Sequence, residues 1–119
     1  MRFMILLKAD QNTEAGILPD EKILTAMGKY NEELVKAGVL LAGEGLHPSS
    51  KGARVKFSGG KATVTDGPFA ETRELIGGWA LVQAKSKEEA IELTKRFLSI
   101  AGDGESNIRQ VFGPEDFGP

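Results

Sequence analysis

Histidine is the side-chain type that changes charge between about pH 5 and 8, and His47 is the only one in the 119-residue chain. That makes His47 the natural general acid or base. It stands in Gly43-Glu44-Gly45-Leu46-His47-Pro48, with Glu44 three residues earlier and Pro48 breaking the segment. In an extended strand positions 44 and 47 face opposite sides, so the two meet only where the chain curls at Gly45. A histidine before a proline at a strand end also serves simply to close a loop.

The second candidate carboxylate is Asp66, followed by Gly67-Pro68-Phe69-Ala70-Glu71-Thr72-Arg73-Glu74. Aspartate accepts backbone hydrogen bonds, glycine tolerates positive φ and proline fixes its own φ near −65°, so Asp66-Gly67-Pro68 builds a rigid corner. Arg73 and Glu71 are close to Asp66 in sequence: Arg73 suits a developing negative charge, and the Glu71, Arg73, Glu74 cluster suits a polar ligand or a second subunit. The structural alternative is a turn satisfied by Asp66 itself and followed by a solvated charged loop, with Phe69 anchored in the core. Tyr30 falls on an apolar helix face, where its hydroxyl reaches either a cavity or a nearby carbonyl.

Much other chemistry has no support. There is no cysteine, which removes disulfides, zinc thiolates and thiol nucleophiles and suits a reducing cytosol. One histidine excludes a multi-histidine metal site within one subunit, and no metal or other cofactor is expected. No GxGxxG, P-loop, GxSxG or HExxH pattern occurs. Fifteen basic residues scattered against seventeen acidic ones, net charge −2, argue against nucleic acid. The apolar runs are too short to span a bilayer, and Met1 to Lys8 reads as a first strand rather than a signal segment.

The elements that must hold these residues follow from periodicity. Phe3 to Leu7 is a continuous apolar run that suits a central strand. Ala9 to Pro19 is a polar linker longer than most, a candidate lid. Asp20 caps an amphipathic helix carrying Ile23, Leu24, Met27, Tyr30, Leu34 and Val35, and Gly38 stops it. Val39 to Ala42 reads as a strand, with Gly43 and Gly45 marking a bulge or close approach. Val55 and Phe57, then Ala62 and Val64, alternate with polar residues around Gly59-Gly60 as a hairpin. Leu75 to Ala84 is a strand in which Trp79 packs under a helix. Ser86-Lys87-Glu88-Glu89 has the capping-box pattern and opens a second helix, and Ile108 to Phe112 forms the last strand before a tail too short to be an element. The chain fits one domain, residues 1–119, and one of its size buries roughly 65% of its unfolded surface.

Strand, helix, strand, hairpin, strand, helix, strand is a ferredoxin-like α+β plan with an inserted β-hairpin. Two helices cover one face of the sheet, and pressing two sheets together in a homodimer hides the other. Phe117 is too apolar to dangle and is expected to dock on the partner subunit.

The run Val64 to Leu75 resembles the signature of the DGPF proteins, a branch of the YCII-related (YciI-like) family, with further similar blocks at Gly43-Glu44-Gly45-Leu46, Gly52-Ala53-Arg54-Val55, Gly77-Gly78-Trp79 and Ile108-Arg109-Gln110-Val111-Phe112. The resemblance implies the dimeric α+β barrel. YciI-like relatives use a histidine and aspartate pair at the start and end of the first helix. Here those places read Leu18-Pro19-Asp20-Glu21 and about Lys36, so the pair is absent and its chemistry does not transfer. Some relatives accompany extracytoplasmic-function sigma factors, which adds a non-enzymatic regulatory or interaction module as the alternative function. The expected function is a cytoplasmic homodimer with a cleft for an unidentified small polar or aromatic molecule. Its catalytic candidates are His47 and Asp66, its ligand contacts Tyr30, Glu44, Phe69, Glu71 and Arg73, and cofactor-free proton transfer is its available chemistry.

Overall fold

The computed structural model describes residues 1–118, with Arg73 described by its backbone alone. The elements are β1 (Arg2–Lys8), α1 (Gln11–Glu14), α2 (Glu21–Lys36), β2 (Leu40–Gly45), β3 (Ala53–Ser58), β4 (Lys61–Asp66), β5 (Ile76–Gln83), α3 (Lys87–Ala101) and β6 (Ser106–Gln110), with 3-10 turns at Ser49–Lys51, Thr72–Glu74 and Pro114–Asp116. Strands β2, β5, β1 and β6 form one antiparallel sheet in that order, and β3 and β4 form a separate two-stranded ribbon. This is the ferredoxin-like α+β plan with an inserted hairpin, the subunit fold of dimeric α+β barrels.

Helix α2 begins where the Asp20 side chain accepts from the Ile23 N–H at 2.8 Å. It ends in a Schellman motif: Gly38, at φ +73°, donates to the Val35 carbonyl while Val39 donates to Leu34. Ser86 opens α3 by accepting from the Glu89 N–H at 3.1 Å, one half of the expected box. Both helices lie on one face of the sheet, where Phe3, Ile5, Val82, Ala84 and Ala90 form the core with Leu7, Val39, Leu40, Ala80, Leu93 and Ile108 around it. Burying Phe3 or Val82 contributes about 1.5–3 kcal/mol each.

Alternation sends the remaining strand residues to the other face. Because Met4 pairs with Leu81 and Arg109, and Leu6 with Trp79 and Asn107, two rows cross this face: Arg109-Met4-Leu81-Ala42 and Asn107-Leu6-Trp79-Glu44. Helices α2 and α3, which pack on the core face, do not cover them. Trp79 therefore does not pack under a helix as expected; its neighbour Ala80 takes the helix side.

Three other expectations change. The 9–19 linker contains the one-turn helix α1, because Asp10 accepts from the Thr13 N–H at 2.8 Å and Thr13 Oγ1 accepts from the Asp10 N–H at 2.6 Å. The register shift in β2 falls between Leu40 and Ala42, not at a glycine, while Gly43 is the close approach: a Cβ there would lie 3.1 Å from the Trp79 carbonyl oxygen. The tail makes a 3-10 turn, closed by the Gly113 N–H donating to Asp116 Oδ2 at 2.7 Å.

Candidate functional site

Three segments converge beyond the end of β1: α1, the Ser49–Lys51 turn and the loop after Asp66. Ser49 joins them. Its N–H donates to Glu14 Oε2 at 2.9 Å, its hydroxyl donates to Glu14 Oε1, and the same hydroxyl accepts from the Phe69 N–H at 3.0 Å. Glu14 and Ser49 are half-buried, so this charge-assisted pair works away from bulk water. Gly67 completes the junction by donating to the Gly52 carbonyl at 3.0 Å while sitting against the Ser49 carbonyl. The Gly67-Pro68 peptide is cis, and Gly67 is not among the positive-φ glycines: space, not left-handed backbone, demands glycine here. Beside the junction an open groove is lined by Ala9, Asp10, Gln11, Ala70 and Thr72.

The expected site residues divide between this junction and the bare sheet face. His47 follows β2 and is exposed, and among the described residues none hydrogen-bonds its imidazole. Asp66 ends β4 opposite Ala53, also exposed, and its carboxylate accepts no hydrogen bond from its own turn among the described residues. Glu71 is exposed just before the Thr72–Glu74 turn, which holds the Arg73 backbone; the Arg73 side chain lies outside what the structure describes. Phe69 is half-buried with the Arg54 guanidinium 4.2 Å from its ring centre, a surface cation–π stack rather than a core anchor.

Tyr30 stands apart. It is buried on the helix side of the sheet, its hydroxyl donates to the Leu93 carbonyl at 3.0 Å, and the Arg96 guanidinium lies 5.4 Å from its ring centre. Burial pushes its phenol above the usual value. An apolar crevice does reach Tyr30, lined also by Leu7, Leu34 and Phe97, but the hydroxyl is already spent. Glu44 is on the opposite face of the sheet, directly across from Trp79. Tyr30 and Glu44 therefore cannot line one cleft within a single chain.

Glu14 and Ser49 are the polar pair that reasoning from sequence missed. They are 35 residues apart, and the only trace in the sequence is the unusual length of the Ala9 to Pro19 linker that holds Glu14. Among the described residues no group of three or more His, Cys, Asp or Glu side chains could hold a metal ion, and no helix is long and apolar enough to cross a membrane.

Comparison with known proteins adds three findings. An uncharacterized protein of Rhizobium meliloti (strain 1021) is 33% identical over 76 residues, a match covering 64% of this chain and 61% of that protein. A solved structure of 5-chloro-2-hydroxyhydroquinone dehydrochlorinase (TftG) from Burkholderia phenoliruptrix AC1100, in complex with 2,5-dihydroxybenzoquinone, superposes over 98% of each chain with a TM-score of 0.53 at 16% identity, a likeness of fold. The YCII-related domain matches residues 1–113, and since the matched stretch takes in all six strands and all three helices, the chain belongs to the YCII-related family.

Proposed function

We propose that this protein is a cytoplasmic homodimer that binds a small, flat, oxygen-bearing molecule on the bare face of its sheet, with cofactor-free proton transfer as its chemistry. The observation that carries this reading is the Asn107-Leu6-Trp79-Glu44 row beside Arg109. An indole supplies a stacking surface, Leu6, Met4 and Leu81 supply apolar walls, and a carboxylate and a guanidinium at the two flanks suit hydroxyl and oxyanion groups. That a protein of the same fold binds 2,5-dihydroxybenzoquinone supports this ligand class. A second copy pressed against the face would exclude water, and the shortage of fully buried apolar side chains in the isolated subunit gives it reason to do so. In this reading His47 and Asp66 are the candidate bases, Glu44 is a ligand contact, and the loop after Asp66 with Phe69 and Glu71 rims the mouth.

Trp79 is the sole tryptophan, so it reports occupancy directly. Titration with 2,5-dihydroxybenzoquinone, followed by Trp79 fluorescence and by calorimetry, is expected to saturate, with affinity falling in Glu44→Gln and Arg109→Ala. Absence of saturable heat up to millimolar probe overturns the reading. A regulatory or interaction module remains the second reading, favoured by the exposed apolar hairpin: Val55, Phe57 and Val64 are each more than 60% exposed.

A further inference from the structure

The β3–β4 ribbon and the Phe112–Phe117 turn are two unpartnered surfaces of opposite character. Pairing of Val55 with Val64 and Phe57 with Ala62 puts these four side chains on one face of the ribbon, with Phe57 74% exposed. The other face carries Arg54, Lys56 and Lys61, and residues 51–66 hold four basic groups against one acidic, a net +3. The whole chain is −2, so the remainder is −5. A two-stranded ribbon exposed on both faces is marginal by itself. It also makes the subunit extended: the radius of gyration is 16.4 Å, against about 13–14 Å for a compact chain of this length.

The turn is the complement. Phe112 and Phe117 pack on each other with ring centres 5.3 Å apart, yet remain 70% and 74% exposed, and Glu115 and Asp116 stand between them. Neither Lys56, Lys61 nor Glu115 forms an ion pair among the described residues.

The topology keeps the two apart within one chain. The ribbon follows β2, an edge strand, at the end where Gly45 pairs with Gly78 and Gly78 with Leu7. The turn follows β6, the other edge strand, at the end where Gln110 pairs with Phe3. These are diagonally opposite corners of the sheet. A two-fold axis lying parallel to the sheet along the other diagonal exchanges those corners, placing each ribbon over its partner's turn and making the contact twice.

We propose that the apolar face of the β3–β4 ribbon of one copy packs against the Phe112–Phe117 turn of a second copy, an inference that rests on the two-copy part of the reading above. Lys56 and Lys61 make the ribbon basic while Glu115 and Asp116 make the turn acidic, so the two segments attract as they approach. Phe57 and Phe117 are the aromatic anchors.

The test is the dimer dissociation constant by sedimentation equilibrium on the full chain. Phe57→Ser and Phe117→Ser alter exposed side chains, and each is expected to weaken the dimer about tenfold, as loss of an interface anchor does. The double variant is expected to be little weaker than either single one, because both remove the same contact. Lys56→Glu with Lys61→Glu is expected to weaken the dimer, and adding Glu115→Lys to recover part of the loss. Unchanged dissociation constants for both serine variants, full additivity in the double, or a monomeric parent protein overturn the proposal. A dimer that shows these losses but takes up no quinone supports the ribbon contact while overturning the ligand reading alone.

Discussion

Ser49 donates to Glu14 twice, through its N–H at 2.9 Å and through its hydroxyl, and this one carboxylate ties α1 to the turn that leads into the hairpin. Because the hydroxyl also accepts from Phe69 at 3.0 Å, the loop after Asp66 hangs on the same atom. Three loops drawn from residues 14, 49 and 69 thus share one polar node, which acts as a latch on the segment that sequence suggests as a lid.

Glu14→Gln tests the latch. An amide offers one acceptor oxygen where the carboxylate offers two, so one of the two Ser49 donors faces an N–H₂ group. The expected cost is about 1–3 kcal/mol, the range for leaving a buried donor without its acceptor. Hydrogen exchange should show faster exchange of the Phe69 amide and of residues 11–14, with α2 and α3 unaffected. Equal protection at Phe69 in variant and parent would remove the latch.

Gly67→Ala probes the same junction sterically. A Cβ at Gly67 would collide with the Ser49 carbonyl oxygen and lie 2.6 Å from its carbon, so backbone must move. Overpacking of this kind costs about 1–3 kcal/mol, and denaturant unfolding is expected to show it. Gly45→Ala, where a Cβ meets nothing within 4 Å, is the matched control.

The fold was largely legible because its signals are local. The α2 caps, the Gly59-Gly60 turn with φ of +57° and +79°, and the Ser86 cap are each written within a few residues of where they act. What was not legible was which face of the sheet Trp79 takes. Trp79 and Ala80 are both apolar and adjacent, and only the alignment of β5 with its neighbours sends Trp79 away from the helices. The Glu14–Ser49 pair was illegible because two polar residues 35 apart carry no shared pattern. Gly67 was legible as a special position, but for the wrong reason: its neighbour in space, not its φ, excludes a side chain.

Asp10 ties α1 to acidity. The Thr13 backbone N–H bonded to its carboxylate holds its pKa below the usual 3.8. A depressed folded-state value means the stabilisation is complete above the unfolded value and is lost as pH falls through the folded one. Loosening of residues 11–14 is therefore expected only below about pH 4, and weakly, since the group is exposed and screened. Asp10→Asn keeps an acceptor for Thr13 but abolishes the pH dependence, which amide chemical shifts of Thr13 would record; a surviving titration would refute the assignment.

Tyr30 sets the alkaline side. Burial raises its phenol above 10.0, opposed in part by the Arg96 guanidinium and assisted by Glu33. The neutral hydroxyl donates to the Leu93 carbonyl, so ionising it both breaks that bond and places charge on a buried residue that lines an apolar crevice with Ile5, Leu7 and Val82. With the folded value above the unfolded one, the contribution is whole below pH 10 and disappears as pH rises through the folded value. Stability measured by urea unfolding between pH 8 and 11 is expected to be flat at first and then to decline. Tyr30→Phe loses about 1 kcal/mol below pH 10 from the missing hydrogen bond, and its decline above pH 10 should be shallower than the parent's. Parallel pH profiles for the two proteins would show that the alkaline loss arises elsewhere.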